Sequence, residues 1–505
     1  MHYFLLSLIT FCFTLFSYAT TFTVTSSADS GPGTLRQAIL DANVLISPPH
    51  TILFGQSMTI DLQSDLPEIT QSITIDGQRT TQHNIVINAG TISFMSFAGL
   101  SLKADNCIIK DLEIKGSNNI ITMGSPGIYI DSSHNLIIGN HLHNNGMGIT
   151  IEDQAEDNQI GGLNLTERNF IYGNVTHGID VHHCPNLIQN NEITSGVDDF
   201  GNPLQQNGIN IIPFNTNASG CEISGGNVIS RNLKDGIFAS AGQNVLITGN
   251  ILEANGSSGI LITHTAQGFK ISQNSIFDNT ALGIDLSINP SVLEDGVTSN
   301  DSNDADVGAN GLQNFLSSIA ASSGNGQTQV DISFNGIPSE NFTAEFFSHT
   351  LTELDSSDHG EGKTFLGTAT FVTDATGNYQ GTHNLSIPTA IGDYVTATVT
   401  NNITHETSEF SESVQVTPVG TVELVTAEKI KLFPNPTSSG SIIHLSTLPH
   451  GKSSLHLIDF NGRKILSREI NEANVELQLP ALSSGLYFIS IENAKKKQTL
   501  KLVIE

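Results

Sequence analysis

Four side chains carry the most chemically useful pattern in this chain: Asp131, Glu152, Asp180 and His182. Carboxylates held close together share protons or bind a cation, and an imidazole among them serves as acid or base. Asp153, His177 and His183 lie nearby in sequence. A second concentration of ligand atoms follows downstream, from Asp295-Gly296 through Asn300-Asp301-Ser302-Asn303-Asp304-Ala305-Asp306-Val307-Gly308. Oxygen donors at alternating positions with glycine at the turn suit calcium, and Asp301, Asn303, Asp304 and Asp306 are the expected ligands. The run lacks the ligand spacing and final Glu of an EF-hand, and a solvated acidic loop is the plain alternative.

A repeat must position these residues. Gly-Ile followed by an outward and an inward residue occurs at Gly127, Gly148, Gly178, Gly208, Gly236, Gly259 and Gly283, and Gly99-Leu100-Ser101-Leu102 is an eighth copy. The intervals of 28, 21, 30, 30, 28, 23 and 24 residues are those of solenoid rungs. A rung cannot bury its apolar face alone, so stacked rungs share one core. The second and fourth residues after each Gly face outward. They form two columns, Tyr129, Thr150, Asp180, Asn210, Phe238, Leu261, Asp285 and Asp131, Glu152, His182, Ile212, Ser240, Thr263, Ser287. With rungs about 4.8 Å apart, Asp131, Glu152, Asp180 and His182 fall in one patch. The longest inserts, which include Asp198-Asp199, belong to the rungs at 148 and 178 and are placed to wall a groove.

Each rung also carries Asn, any residue, Ile or Leu, two residues, then Asn; it starts at Asn140, Asn169, Asn227, Asn250 and Asn274, and Asn191 keeps the first half. Asn tolerates left-handed backbone, and one amide per corner stacks into a ladder. Short strands, fixed corners and an inward apolar column resemble the right-handed parallel β-helix of the pectate-lyase-like superfamily, over roughly residues 50 to 290. The expected fold class is all-β: a β-helix over 20–320, an immunoglobulin-like β-sandwich over 327–418 and a small β-sandwich over 430–505.

At the amino end, Thr34 is a reasonable N-cap, and Leu35, Ala38, Ile39 and Ala42 share one helical face that would cover the open end of the solenoid. Residues 1–19 read as a secretory signal, with an apolar run from Phe4 to Phe16 and a small-residue ending at Ala19. No other stretch is long and apolar enough to span a bilayer. Cys107, Cys184 and Cys221 sit beside rung residues and read as buried free thiols.

The formal charge is −29. From Lys431 to Glu505 there are nine Lys/Arg against six Asp/Glu, which leaves eleven basic and forty-three acidic residues in the rest. Such a body repels nucleic acid and anionic membranes, because phosphate binding needs a basic stripe. It suits an extracellular protein that binds cations.

Residues 328–416 alternate in short runs, at 330–334, 343–347, 368–372 and 394–399, as in an immunoglobulin-like sandwich. Ser322-Ser323-Gly324-Asn325-Gly326 reads as the linker before it, and the module as a spacer. The last segment opens on Lys431-Leu432-Phe433-Pro434-Asn435-Pro436, turns at Asn461-Gly462-Arg463-Lys464 and continues through Gly485-Leu486-Tyr487 to Lys495-Lys496-Lys497. These four ordered elements resemble the type A sorting domain of the type IX secretion system. The resemblance implies a Bacteroidetes-type envelope, export across the outer membrane by that machinery, and removal of the domain on attachment or release.

Two functions compete. Lys103, Lys110, Lys115, Arg168, Arg231, Lys234 and Lys270 are scattered between rungs, whereas β-helix lyases resembling this chain use clustered basic residues. The Gly-His-Gly and Arg-Ile-Lys elements of polygalacturonase-like hydrolases are missing, and mannuronan-epimerase-like motifs are not evident. These features favour an adhesive or glycan-binding rod at the cell surface, with a polysaccharide or surface glycan as partner. The alternative is a polysaccharide-active lyase, hydrolase or epimerase working through the Asp131, Glu152, Asp180 and His182 face.

Overall fold

The computed structural model describes residues 19–45, 48–78, 84–90, 98–117, 125–197, 203–212, 219–263, 265–288, 295–353, 357–419, 430–446, 453–459, 463–470, 475–492 and 497–505. The signal-peptide reading, Asp198-Asp199, the Asn461-Gly462 pair and Lys495-Lys496 lie outside the described residues. The chain divides into two compact units, 1–419 and 420–505.

Three parallel sheets wrap the first unit's solenoid. Sheet A has ten strands from Thr21–Val24 to Lys270–Ser272, sheet B nine from Met58–Asp61 to Ser275–Phe277, and sheet C eight from Leu100–Leu102 to Ile284–Leu286. Each rung contributes one short strand to each sheet. Inward residues such as Ile109, Ile114, Ile128, Ile149, Ile179 and Ile209 are fully buried in a single core. The Gly-Ile strands make up sheet C in the expected register, with Tyr129 opposite Thr150, Thr150 opposite Asp180 and Asp180 opposite Asn210. Glycine opens these strands because rungs approach too closely for a side chain. A Cβ on Gly178 would sit 2.4 Å from Ile193 Cγ2 and 2.6 Å from the carbonyl oxygen of Gly208.

The corner amides stack as the repeat requires. Asn140 donates its backbone N–H to Asn169 Oδ1 at 2.9 Å and its Nδ2 to the Ile109 carbonyl at 2.9 Å, and the pattern continues up the rod. A second column runs Asn145, Asn174, Gln205, Asn232, Asn255 and Asn279. Gln205 fills the place that the incomplete signature after Asn191 leaves open. A third column, Asn135, Asn158 and Asn186, satisfies the corner before sheet A.

Helix α1 (Leu35–Val44) follows the capping residue Thr34, whose side chain accepts from the Gln37 N–H, and it buries Leu35, Ala38, Ile39 and Ala42. The cysteine expectation is corrected: Cys184 and Cys221, on corners of successive rungs, form a disulfide. Only Cys107 among the described cysteines is free, and burial raises its thiol to about 11. The sequence reading missed the pair because neither spacing nor count reveals which corners stack.

Two four-stranded sheets follow, spanning Ser318 to Pro418, antiparallel except where Thr417–Pro418 pairs parallel with Ser318–Gly324, and packed around Phe334, Phe342, Phe346, Phe371, Val395 and Val399. Ser318–Gly324 is itself a strand, paired with Gln327–Asn335, so residues 322–326 form a hairpin rather than a linker. Nor is the module a detached spacer. Phe347 and Phe410 join the solenoid core at its carboxyl end. Glu361 accepts the N–H and Nδ2 of Asn279 at 3.1 and 2.8 Å, which terminates an amide column. Glu409 accepts the N–H groups of Leu286 and Thr298 at 3.0 and 2.9 Å, and Glu345 accepts the Ser272 hydroxyl and the Gln273 backbone N–H.

The second unit is a smaller sandwich of a three-stranded and a four-stranded antiparallel sheet around Ile443, Leu455, Leu457, Ile489 and Leu502.

Candidate functional site on the third sheet

Alternation along sheet C turns every second side chain away from the core. The fourth residue after Gly in four successive rungs gives Lys103, Asp131, Glu152 and His182. Their stacking is fixed by the backbone bonds Asp131 N–H to Leu102, Glu152 N–H to Ile130 and His182 N–H to Ile151. Lys103 therefore belongs to the patch, correcting its place among scattered basic residues. The signal was available: Gly99 opens a rung, so its fourth residue occupies this column.

All four expected residues, Asp131, Glu152, Asp180 and His182, meet here. Lys103 Nζ donates to Asp131 Oδ2 and lies 5.2 Å from the centre of the Tyr129 ring. His182 Nε2 is 2.8 Å from Asp180 Oδ2, and Nδ1 is 3.5 Å from Glu152 Oε2. Asn210 Nδ2 donates to Asp180 Oδ1 at 2.6 Å. Asp180 is only 2 % exposed, so a charged carboxylate on the outer face is buried beneath its neighbours. Such a group persists only when paired, and both its oxygens are.

The environments push the titratable groups apart. Burial works against the His182 imidazolium, but the hydrogen bond and charge of Asp180, together with Glu152, outweigh it and raise its pKa. His177 moves the other way: burial lowers its pKa more than Asp180 raises it. Burial, with the charges of Glu152 and Asp131, pushes the Tyr129 phenol up to about 12. The hydrogen bond to Asp131 raises Lys103 against a smaller cost of burial. The face thus sets a histidine shifted down beside a histidine and a phenol shifted up, a separation of the kind acid–base sites use. His183 is turned to the adjoining corner, 3.1 Å from Glu156 Oε1 and 3.3 Å from Asp153 Oδ1.

In the downstream loop, Asp301, Asp304 and Asp306 present carboxylate oxygens within 4.8 Å of one another. Asn303 is not one of the three; its Oδ1 faces Gly377, where an added Cβ would lie 2.4 Å away. Asp301 accepts the Ala305 N–H and Asp304 that of Asn314, at 3.0 and 2.8 Å. Burial, reinforced by Asp306, Asp301 and Glu406, raises the Asp304 carboxyl to about 7.

Residues 161–334 match the family described as the right handed beta helix region. The solved structures similar to this chain include a double mutant of the periplasmic alginate epimerase AlgG, at 16% identity and TM-score 0.30, covering 49% of this chain and 62% of that one. Another is full-length tailspike protein 2 of Escherichia coli O157:H7 bacteriophage CAB120, at 10% identity and TM-score 0.33, covering 91% and 72%. The chain thus spans less than two thirds of the epimerase's length, and these likenesses assign no activity. The fold defines a right-handed parallel β-helix protein. Residues 431–505 match the family described as the secretion system C-terminal sorting domain. This is a protein exported by the type IX system, secreted or held at the outer cell surface, and its tail is the part that the secretion machinery engages. No helix among the described residues is long and apolar enough to cross a membrane.

Proposed function

We propose that this exported β-helix acts on a uronate-containing polysaccharide by proton transfer at the sheet C face, as a lyase or an epimerase. The observation that carries the reading is the column Lys103–Asp131–Glu152–His182, flanked by Tyr129 and His177. A uronate proton beside the carboxyl group is removed by a base while a cation offsets the charge that develops on the carboxylate. His177, its pKa lowered by burial, is suited to take that proton, Tyr129 and His182 to donate one, and Lys103, shared with Asp131, to meet the carboxylate. Incubating the secreted full-length chain with uronate and neutral polysaccharides in deuterated water tests this. Unsaturated ends signal a lyase, and deuterium at the carbon beside the carboxyl group signals an epimerase. Neither product from any uronate polymer would sink the proposal, leaving a glycan-binding rod, the reading that the neutral Asn/Ser/Thr surface favours.

We further infer a structural calcium ion held by Asp301, Asp304 and Asp306. The buried Oδ1 atoms of Asp306 and Asn303 have no hydrogen-bond partner, and an all-oxygen donor set fits a hard cation. Calcium should raise the melting temperature of the full chain and a chelator lower it, with Asp304→Asn abolishing both; an unchanged melting curve refutes the site.

A further inference from the structure

A different face carries a second recognition site. On sheet B the outward column places Glu113, His141, Phe170 and Glu192 one rung apart, and the next column Lys115, His143, Tyr172 and Thr194. The rings pair across rungs: His141 lies 4.8 Å from Phe170, and His143 stacks on Tyr172 at 4.7 Å with planes 4° apart. Beside this aromatic block is a hollow of about 550 Å³, a volume within the range of small-ligand sites. One wall is the turn before Phe170, where Leu165 is 77% exposed. Glu167 Oε2 braces that turn by accepting the Asn164 N–H at 3.1 Å.

The polar groups of the hollow are fixed and point to an uncharged ligand. Arg168 donates twice to Asn190 Oδ1, at 3.2 and 2.7 Å, and sits 3.5 Å from Glu192. Asp111 and Glu113 line the same hollow. An adjoining recess of about 310 Å³ shares Asp111 and adds Asp76, Glu167 and Lys110, whose ammonium pairs with Asp76 at 2.9 Å. Carboxylates outnumber cations along this surface, and Arg168, Lys110 and Lys115 are all engaged by carboxylates, so an anionic sugar is disfavoured. Carboxylates accept from hydroxyl groups, and a ring face receives the apolar face of a pyranose.

We propose that this sheet B groove binds a neutral oligosaccharide, stacked on Phe170 and His141 and hydrogen-bonded through Asp111, Glu113 and Arg168. The site is separate from the sheet C face and does not depend on its activity. The test is isothermal titration of the full-length chain with hexasaccharides of glucose, xylose and mannose, alongside a uronate hexasaccharide. At least one neutral series should bind, with Phe170→Leu weakening it about tenfold and Tyr129→Phe leaving it unchanged. Phe170→Leu keeps an apolar side chain at this half-buried position, and a matching melting curve verifies its fold; Arg168→Gln provides an independent second variant. No neutral ligand bound, uronate bound in preference, or affinity unmoved by both groove variants would each overturn the proposal.

Discussion

His182 is the residue on which the chemistry proposed for sheet C turns. Its charged form is held by Asp180 and Glu152 against the cost of burial. A raised pKa in the folded chain means that this ion pairing stabilises the fold fully below the unfolded value of about 6.5, and the benefit is lost as pH rises through the folded value. Asp180→Asn removes the nearer charge while keeping an oxygen for Asn210. The His182 titration, followed by NMR of the ring protons, should shift to lower pH. If polysaccharide turnover is present it should fall by about a hundredfold or more; an unmoved titration would show that Asp180 does not set the charge. His177 is shifted the opposite way, its pKa lowered by burial more than Asp180 raises it.

At the level of strands and corners, the amide columns are the stabilising device that can be tested singly. Asn169 accepts from both nitrogens of Asn140 and donates to the Ile137 carbonyl at 2.8 Å. Asn169→Ala strands those groups in a dry corner, and urea unfolding should show a loss of about 1–3 kcal/mol. The Cys184–Cys221 disulfide closes a 37-residue separation. Chain-entropy reasoning gives about 4 kcal/mol for its removal, and paired unfolding curves of Cys221→Ala and the parent chain measure it. Much of this scale was legible in the sequence, because Gly-Ile and Asn recur in phase with the backbone. Helix α1 was legible too, from one cap and four apolar positions. The disulfide, the third amide column and Gln205 were not. They depend on which corners stack, and inserts of unequal length hide that alignment. The site was half legible: periodicity gave Asp131, Glu152, Asp180 and His182, but not the inclusion of Lys103 or the opposed shifts of the two histidines, which come from burial.

Across the first unit, the sandwich completes the solenoid. Its glutamates receive N–H groups that a further rung would otherwise take, and Phe347 and Phe410 close the apolar channel. Burial raises the Glu409 carboxyl to about 8, against the pull of its two N–H donors, and raises Glu345 as well. The sign follows: the contribution of Glu409 is complete below the unfolded value of about 4.3 and declines as pH rises through about 8. The melting temperature of the parent chain should therefore drop more between about pH 6 and pH 9 than that of Glu409→Gln. Equal slopes would show that Glu409 titrates elsewhere.

Closure at both ends has a consequence for how such a rod can change length. New rungs cannot be appended beyond helix α1 or beyond the sandwich without losing a plug, so growth must come from duplication within the stack. A rung duplicated between Lys103 and His182 would pull the column apart, parting Lys103 from Asp131 or His182 from Glu152 according to where it enters. One duplicated between Gly236 and Gly283 would lengthen the rod and leave the column intact. The molecule is in this sense modular on one side only, with one half fixed by the Lys103–His182 column and an extensible half that sets how far from the sandwich that column is displayed.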